Sequence, residues 1–397
     1  MKKTLLLQFA RHARTAGVAA LALAGVGFSL PASAQYAQTN LVSNIPGLAT
    51  ITDPLLVNPW GVARSPTSPF WTSNQGTNTA TLYAVTGATN VSQVLTVNTQ
   101  GFVSIPTTAS GPQGPTGQVN NTNTASFQLT PGTASTSSRF IFADLNGTIS
   151  GWAGGNTATV EVATPGAVYT GLAINNSGTR LYAANGAGGT INAFDASFTP
   201  ILGGAFVDPN LPSGFVPFNV QNIGGNIYVT YAPAGRAAQT AAAPGAGIVN
   251  VFNENGVLLQ RLITGGRLAA PWGVALAPAT FGIFGGDLLV GNFSFADSEI
   301  NAFDPVTGAF RGTIPINVGA GNTPGGLWAL MFGSGAGNGG DANTLYFAEG
   351  INGETAGLFA AISAVPEPAE YSLLAGGLAL LGFVRRRARP SKASVAS

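Results

Sequence analysis

The chain has no cysteine, one histidine and few charged residues, 8% in all. Each shortage removes a class of chemistry. Without cysteine there are no disulfides and no thiolate nucleophile or ligand, so the domain must be held by burial and hydrogen bonds. His12, Lys2, Lys3 and Lys392, the only histidine and lysines, all lie near the ends. Residues 35–364 therefore carry no Ser-His-Asp triad, no histidine zinc site and no Schiff-base lysine. In that stretch seven arginines face thirteen Asp and Glu, a net charge of −6. The mild overall basicity comes from the termini alone. A lysine-free, acidic body argues against nucleic acid or anionic lipid as a partner.

The two ends read as addresses. Residues 1–34 resemble a secretory signal peptide: Lys2, Lys3, Arg11 and Arg14 precede an uncharged run over 15–30, and Ala32-Ser33-Ala34 forms a small-residue cleavage site before Gln35. No twin-arginine pair precedes the run, which favours the general secretory route; the competing reading is a retained N-terminal anchor. At the other end stand Val365, Pro366, Glu367 and Pro368, an uncharged segment over 371–384, then Arg385, Arg386, Arg387 and Arg389. Fourteen residues make about 21 Å of helix, short of a hydrocarbon core about 30 Å thick. The arginines, with a cytoplasmic tail over 390–397, would stay inside.

Residues 365–389 resemble the PEP-CTERM sorting signal. The resemblance implies recognition by exosortase, a membrane protease, removal of the tail near Pro-Glu-Pro, and a Gram-negative bacterium that makes exopolysaccharide. The expected route is export, an inner-membrane intermediate inserted transiently by the C-terminal helix, then the outer surface or the extracellular space. A plain short anchor is the alternative.

Between the ends the chain repeats itself. "NPWGVARSP" at 58–66 returns as "APWGVALAP" at 270–278, with looser copies at 168–178, 217–225 and 325–333. Each copy is followed by two strand-like runs, such as "RLYAANG" then "GTINAFDAS". The span 138–155 supplies the last two strands of another unit, with "ASFQL" at 125–129 as its weakly matching first strand. Six units in 330 residues, about 55 each, is the period of propeller blades. Turn-bounded short runs without helical periodicity indicate an all-β fold. "NENG" and "DPVTG" read as hairpin turns between third and fourth strands. The run at 39–45 stands alone before the first repeat, and pairing it with the last unit would close the ring. Residues 101–124 and 233–247 read as low-complexity loops.

The "GVA…IYV…I.VF" order resembles NHL-type six-bladed β-propellers. Stretches such as "GPTGQV", "RFIFADLNGTISGW" and "LWALMFG" are similar to an uncharacterised family of exported bacterial propellers with sorting tails, a family that brings no established activity.

Second strands end in polar residues at matching places: Asn74, Asp144, Asn185, Asn292 and Glu349, with Tyr231 standing there in unit four. A ring of oxygen donors at one channel end would hold Ca²⁺ or a sugar; the plainer reading is that each Asn or Asp fastens its own turn. Gluconolactonase-like propellers hold a channel metal on Glu, Asn and Asp at set places. Here those places carry Trp60, Thr170 and Trp272, which weakens an enzymatic reading. Asp144 and Glu349 as a glycosidase pair would need a defined separation. Trp60, Trp272 and Trp328 recur in the first strands as core or channel plug, with a sugar-stacking platform as the alternative. The expectation is a non-catalytic surface or matrix propeller that binds polysaccharide or a surface protein and needs no cofactor. A metal-dependent hydrolase or lactonase at the channel mouth is the alternative.

Overall fold

Six sheets follow one another along the chain, five built from strands consecutive in sequence and the sixth completed by strands from the N-terminal end of the described chain. The computed structural model describes residues 35–95, 100–107, 111–129 and 136–365. Residues Tyr36–Val365 form one compact unit. The stretch read as a signal peptide, with Ala32 and Ala34, and the stretch read as a sorting tail from Pro366 onward lie outside the described residues. Among the described residues the only α-helix is the five-residue Arg236–Thr240, so the body is an all-β six-bladed propeller.

The first blade comprises Pro59–Ala63, Phe70–Asn74, Thr79–Thr86 and Asn90–Gln93. The other innermost strands are Pro115–Asn120, Tyr169–Ile174, Phe215–Ile223, Pro271–Leu276 and Pro324–Phe332. Their small residues answer to crowding at the axis. A Cβ on Gly117 would sit 2.2 Å from the Leu172 nitrogen of the next blade, and one on Gly273 would sit 2.2 Å from the Trp328 carbonyl oxygen. Only glycine allows that approach. Side chains then tie the inner strands together: Gln118 Nε2 donates to the Gly61 carbonyl at 2.8 Å, and Asn219 Nδ2 to the Trp272 carbonyl at 2.9 Å. Between blades, apolar faces interlock, as where Leu289 and Ile300 of the fifth blade share a buried cluster with Leu345 and Phe347 of the sixth.

The ring closes as expected. Tyr36–Ser43 pairs antiparallel with Ala356–Ala364 as the outer strand of the sixth blade, from Tyr36 opposite Ala364 to Ser43 opposite Leu358. Leu41 and Val42 are fully buried there. The hairpins at "NENG" and "DPVTG" join Ile248–Asn253 to Leu258–Thr264 and Glu299–Phe303 to Phe310–Pro315.

The second blade departs from expectation. Its first strand is Pro115–Asn120, inside the stretch read as a loop, with Asn120 opposite Phe140; residues 125–129 form a turn and one isolated bridge, Gln128 to Ser137. "PTGQVN" has only one large apolar residue, so it lacks the apolar signal of a buried strand. Its place is fixed by buried hydrogen bonds instead, Thr116 Oγ1 donating to the Tyr169 carbonyl at 2.8 Å and Gln118 to Gly61.

Candidate functional site at the channel mouth

The register places the six ring residues equivalently. Asn74 lies opposite Pro59, Asp144 opposite Pro115, Asn185 opposite Tyr169, Tyr231 opposite Pro217, Asn292 opposite Pro271 and Glu349 opposite Leu327. All six are buried. Most of their polar atoms are engaged near their own turn. Asp144 Oδ1 accepts from the Gly114 and Asn146 N–H groups at 3.2 and 3.0 Å. Asn185 Oδ1 accepts from Val168 and Gly188 at 3.2 and 2.9 Å. Asn292 Oδ1 accepts from Ala269 at 2.9 Å while its Nδ2 donates to the Arg267 carbonyl at 2.9 Å. Asn74 Nδ2 donates to the Thr79 and Thr81 hydroxyls at 3.1 and 2.9 Å.

Two carboxyls keep a bare oxygen. Asp144 Oδ2 and Glu349 Oε2 are buried without a partner. Burial pushes Asp144 up to about 6, and pushes Glu349 up to about 8 against the single bond from the Ser298 hydroxyl at 3.0 Å. Burial also raises the Tyr231 hydroxyl. Asp144 and Glu349 stand in the second and sixth blades, on either side of the first. Among the described residues no three His, Cys, Asp or Glu side chains converge as a metal centre requires.

A cavity of about 480 Å³ lies beside three of the ring residues, at the starts of the inner strands. Gln75, Leu145 and Gly186 line it, and each directly follows a ring residue. Trp60, Thr170 and Phe218 also line it, together with Arg236 and Gln239 of the short helix Arg236–Thr240 and Glu354 of the turn between Thr344–Ile351 and Ala356–Ala364.

One polar network spans it. Arg236 forms an ion pair with Glu354 Oε2. Glu354 Oε1 accepts from Asn58 Nδ2 at 3.0 Å, which also donates to Gln75 Oε1 at 2.8 Å. Gln75 Nε2 donates to the Gln113 carbonyl at 2.7 Å, and Asn58 Oδ1 accepts from Trp328 Nε1 at 2.9 Å. The Arg236 guanidinium lies 4.3 Å from the Phe293 ring centroid, 5.5 Å from Trp328 and 5.7 Å from Trp60, within cation–π range. Asn58 and Glu354 both hold left-handed backbone, at φ of 46° and 70°, a cost that clusters at functional sites.

Beneath the cavity the channel is shut. Trp60 stacks on Trp328 at 3.5 Å between centroids, and Trp272 meets Trp328 edge-on at 5.6 Å. The three tryptophans are no more than 4% exposed, so they form a plug rather than an open stacking platform. Trp272 Nε1 crosses from the fifth blade to donate to the Thr170 carbonyl at 2.8 Å, whereas Trp60 Nε1 is buried without a partner. Among the inner strands below remains a void of about 20 Å³, about the room one water needs.

The repeats pointed to this end of the channel but not to Arg236, Glu354, Gln75 or Asn58. The available signal was Arg236 itself, the one charged residue of the low-complexity stretch 233–247.

No family model matches the chain. It is 32% identical over 281 residues to "Uncharacterized protein R648" of Acanthamoeba polyphaga mimivirus, covering 66% of each chain. It is 31% identical over 281 residues to "Uncharacterized protein L690" of the same virus, covering 66% of this chain and 70% of that one. The streptogramin B lyase structure aligns with a TM-score of 0.48 at 10% identity, over 83% of this chain and 97% of the lyase. By its identity to L690 and its coverage of that protein, the chain belongs to the family of this mimivirus protein.

Proposed function

We propose that the protein is an exported, non-catalytic binding propeller that takes a small polar ligand, a neutral sugar unit of an exopolysaccharide, at the channel mouth. The observation that carries this is the closed cavity floor. A plugged channel offers a shallow, preformed pocket of ligand size, edged by amides and by an arginine already neutralised by Glu354. The amides suit the hydroxyls of a sugar ring, and the neutralised arginine gives no preference for an anion. The end segments support sorting through the C-terminal tail, with exosortase as the processing enzyme. The viral relatives carry no statement about that route.

Two experiments test the two halves. Neutral oligosaccharides titrated against the purified protein should change tryptophan fluorescence, and Gln75→Ala with Arg236→Ala should weaken binding at least tenfold; affinity untouched by both changes would remove the mouth from the account. Intact mass and fractionation in the native host, with and without its exosortase, should show a product ending near Val365 only when the protease is present. A full-length product in the inner membrane of both strains would make the tail an anchor.

A further inference from the structure

Residues 234–247 join the second and third strands of the fourth blade, a place that residues 75–78 fill in the first blade and 186–189 in the third. The added length makes a strap that reaches the mouth. Its far half is fixed to loops of the fifth blade. Phe295 N–H donates to the Thr240 carbonyl at 3.1 Å, the Ser294 hydroxyl to the Ala242 carbonyl at 2.6 Å and Gly245 N–H to the Leu268 carbonyl at 3.0 Å.

The near half is held differently. Residues 235–238 are exposed, and among the described residues no backbone hydrogen bond of residues 235–239 leaves the strap. Arg236 ties this turn down, through its ion pair with Glu354 of the sixth blade and its place over the Phe293 ring. Gly235, at φ 90°, is where the turn departs from the strand. A Cβ there would meet nothing within 4 Å, so the glycine answers to backbone freedom and not to crowding. An exposed turn with few tethers lies at the low-stability end of a fold, and such turns serve as lids.

This turn also carries the uncommitted amide of the mouth. Three amide side chains line the cavity: Asn58, Gln75 and Gln239. Asn58 and Gln75 spend both ends of their amides on Glu354, Trp328, the Gln113 carbonyl and each other. Gln239 is 7% exposed, and its side chain makes no hydrogen bond among the described residues. Its amide is nevertheless not sealed off as Trp60 Nε1 is, so its small exposed part faces the cavity it lines. A free carbonyl and a free NH₂ together match a sugar hydroxyl, which both donates and accepts.

From these observations we infer that Gln239 is the specificity-determining contact for the occupant of the mouth, and that residues 235–239 are a flap that closes it down, with Arg236 on Glu354 as the latch. The inference rests on the reading of the mouth as a neutral-sugar site. Opening pivots on Gly235 and the fixed Thr240, and it parts the ion pair without disturbing any strand.

The test is tryptic cleavage after Arg236 in the purified protein, followed by mass spectrometry with and without maltotetraose or cellotetraose. Glu354→Gln keeps an acceptor for Asn58 but drops the charge. It should be cut after Arg236 about threefold faster than wild type at the same melting midpoint, and high salt should speed the cut in wild type but not in the variant. Sugar held beneath the flap should slow the cut, and Gln239→Ala, with an unchanged midpoint, should need about tenfold more sugar for the same protection. Equal cutting of wild type and Glu354→Gln removes the latch. Sugar that changes tryptophan fluorescence without slowing the cut, or that protects Gln239→Ala as well as wild type, overturns the flap and its contact while leaving the mouth a sugar site. If neither sugar changes the fluorescence of wild type, the reading of the mouth falls and Gln239 loses its role with it.

Discussion

Burial holds the Glu349 carboxyl near 8 and the Asp144 carboxyl near 6, against ordinary values of 4.5 and 3.8. The folded protein therefore keeps protons that the unfolded chain releases, and stability falls as pH rises from below the unfolded values through the folded ones. We predict that the melting midpoint drops between pH 5 and pH 8 and that Glu349→Gln flattens the drop. The upper limit of the Glu349 contribution is roughly 5 kcal/mol; a midpoint that climbs over this window would refute the account. Trp328 is fully buried and touches Trp60, Trp272, Phe218 and Phe293. Trp328→Ala should cost about 3–5 kcal/mol in denaturant unfolding, since the void falls among rings that cannot collapse together. It would also free Asn58 and loosen the mouth network. The equivalence of the six ring residues was legible, because a repeat carries its register with it. The direction of their hydrogen bonds was not, since a turn-fastening Asn and a ligand-facing Asn have the same sequence. The Arg236–Glu354 pair was hidden as well, because its partners belong to different blades.

At the level of strands, closure depends on Tyr36–Ser43, which covers the free edge of Ala356–Ala364. Removing residues 36–43 should leave an open, pairing-competent edge. The expected result is a lower melting midpoint and concentration-dependent association in size-exclusion chromatography; a monomer of unchanged midpoint would show the strand to be dispensable. Val42→Asp, which places a charge at a fully buried site, should act in the same direction without shortening the chain. Gln118→Leu tests the second blade: it strips the Gly61 carbonyl of its 2.8 Å donor and should cost about 1–3 kcal/mol despite being more apolar. Third and fourth strands were legible from their hairpin turns. The inner strand of the second blade was not, because hydrogen bonds to neighbouring blades replace the apolar side chains that mark a buried strand.

For the whole molecule, the net charge of −6 over residues 35–364 sets long-range behaviour. The purified body should not be retained on immobilised DNA at physiological salt, because an acidic surface gains nothing from counterion release; retention there would show a basic patch that the charge pattern lacks. The sequence alone determined the all-β class, the six-fold repeat, the strand that closes the ring and the exclusion of Cys, His and Lys chemistry, since composition and periodicity are properties of the chain itself. Tertiary structure alone decided that the tryptophans shut the channel and that Arg236 meets Glu354 at its mouth. Each depends on which blades become neighbours when the ring closes, and side chains remote in sequence meet only then.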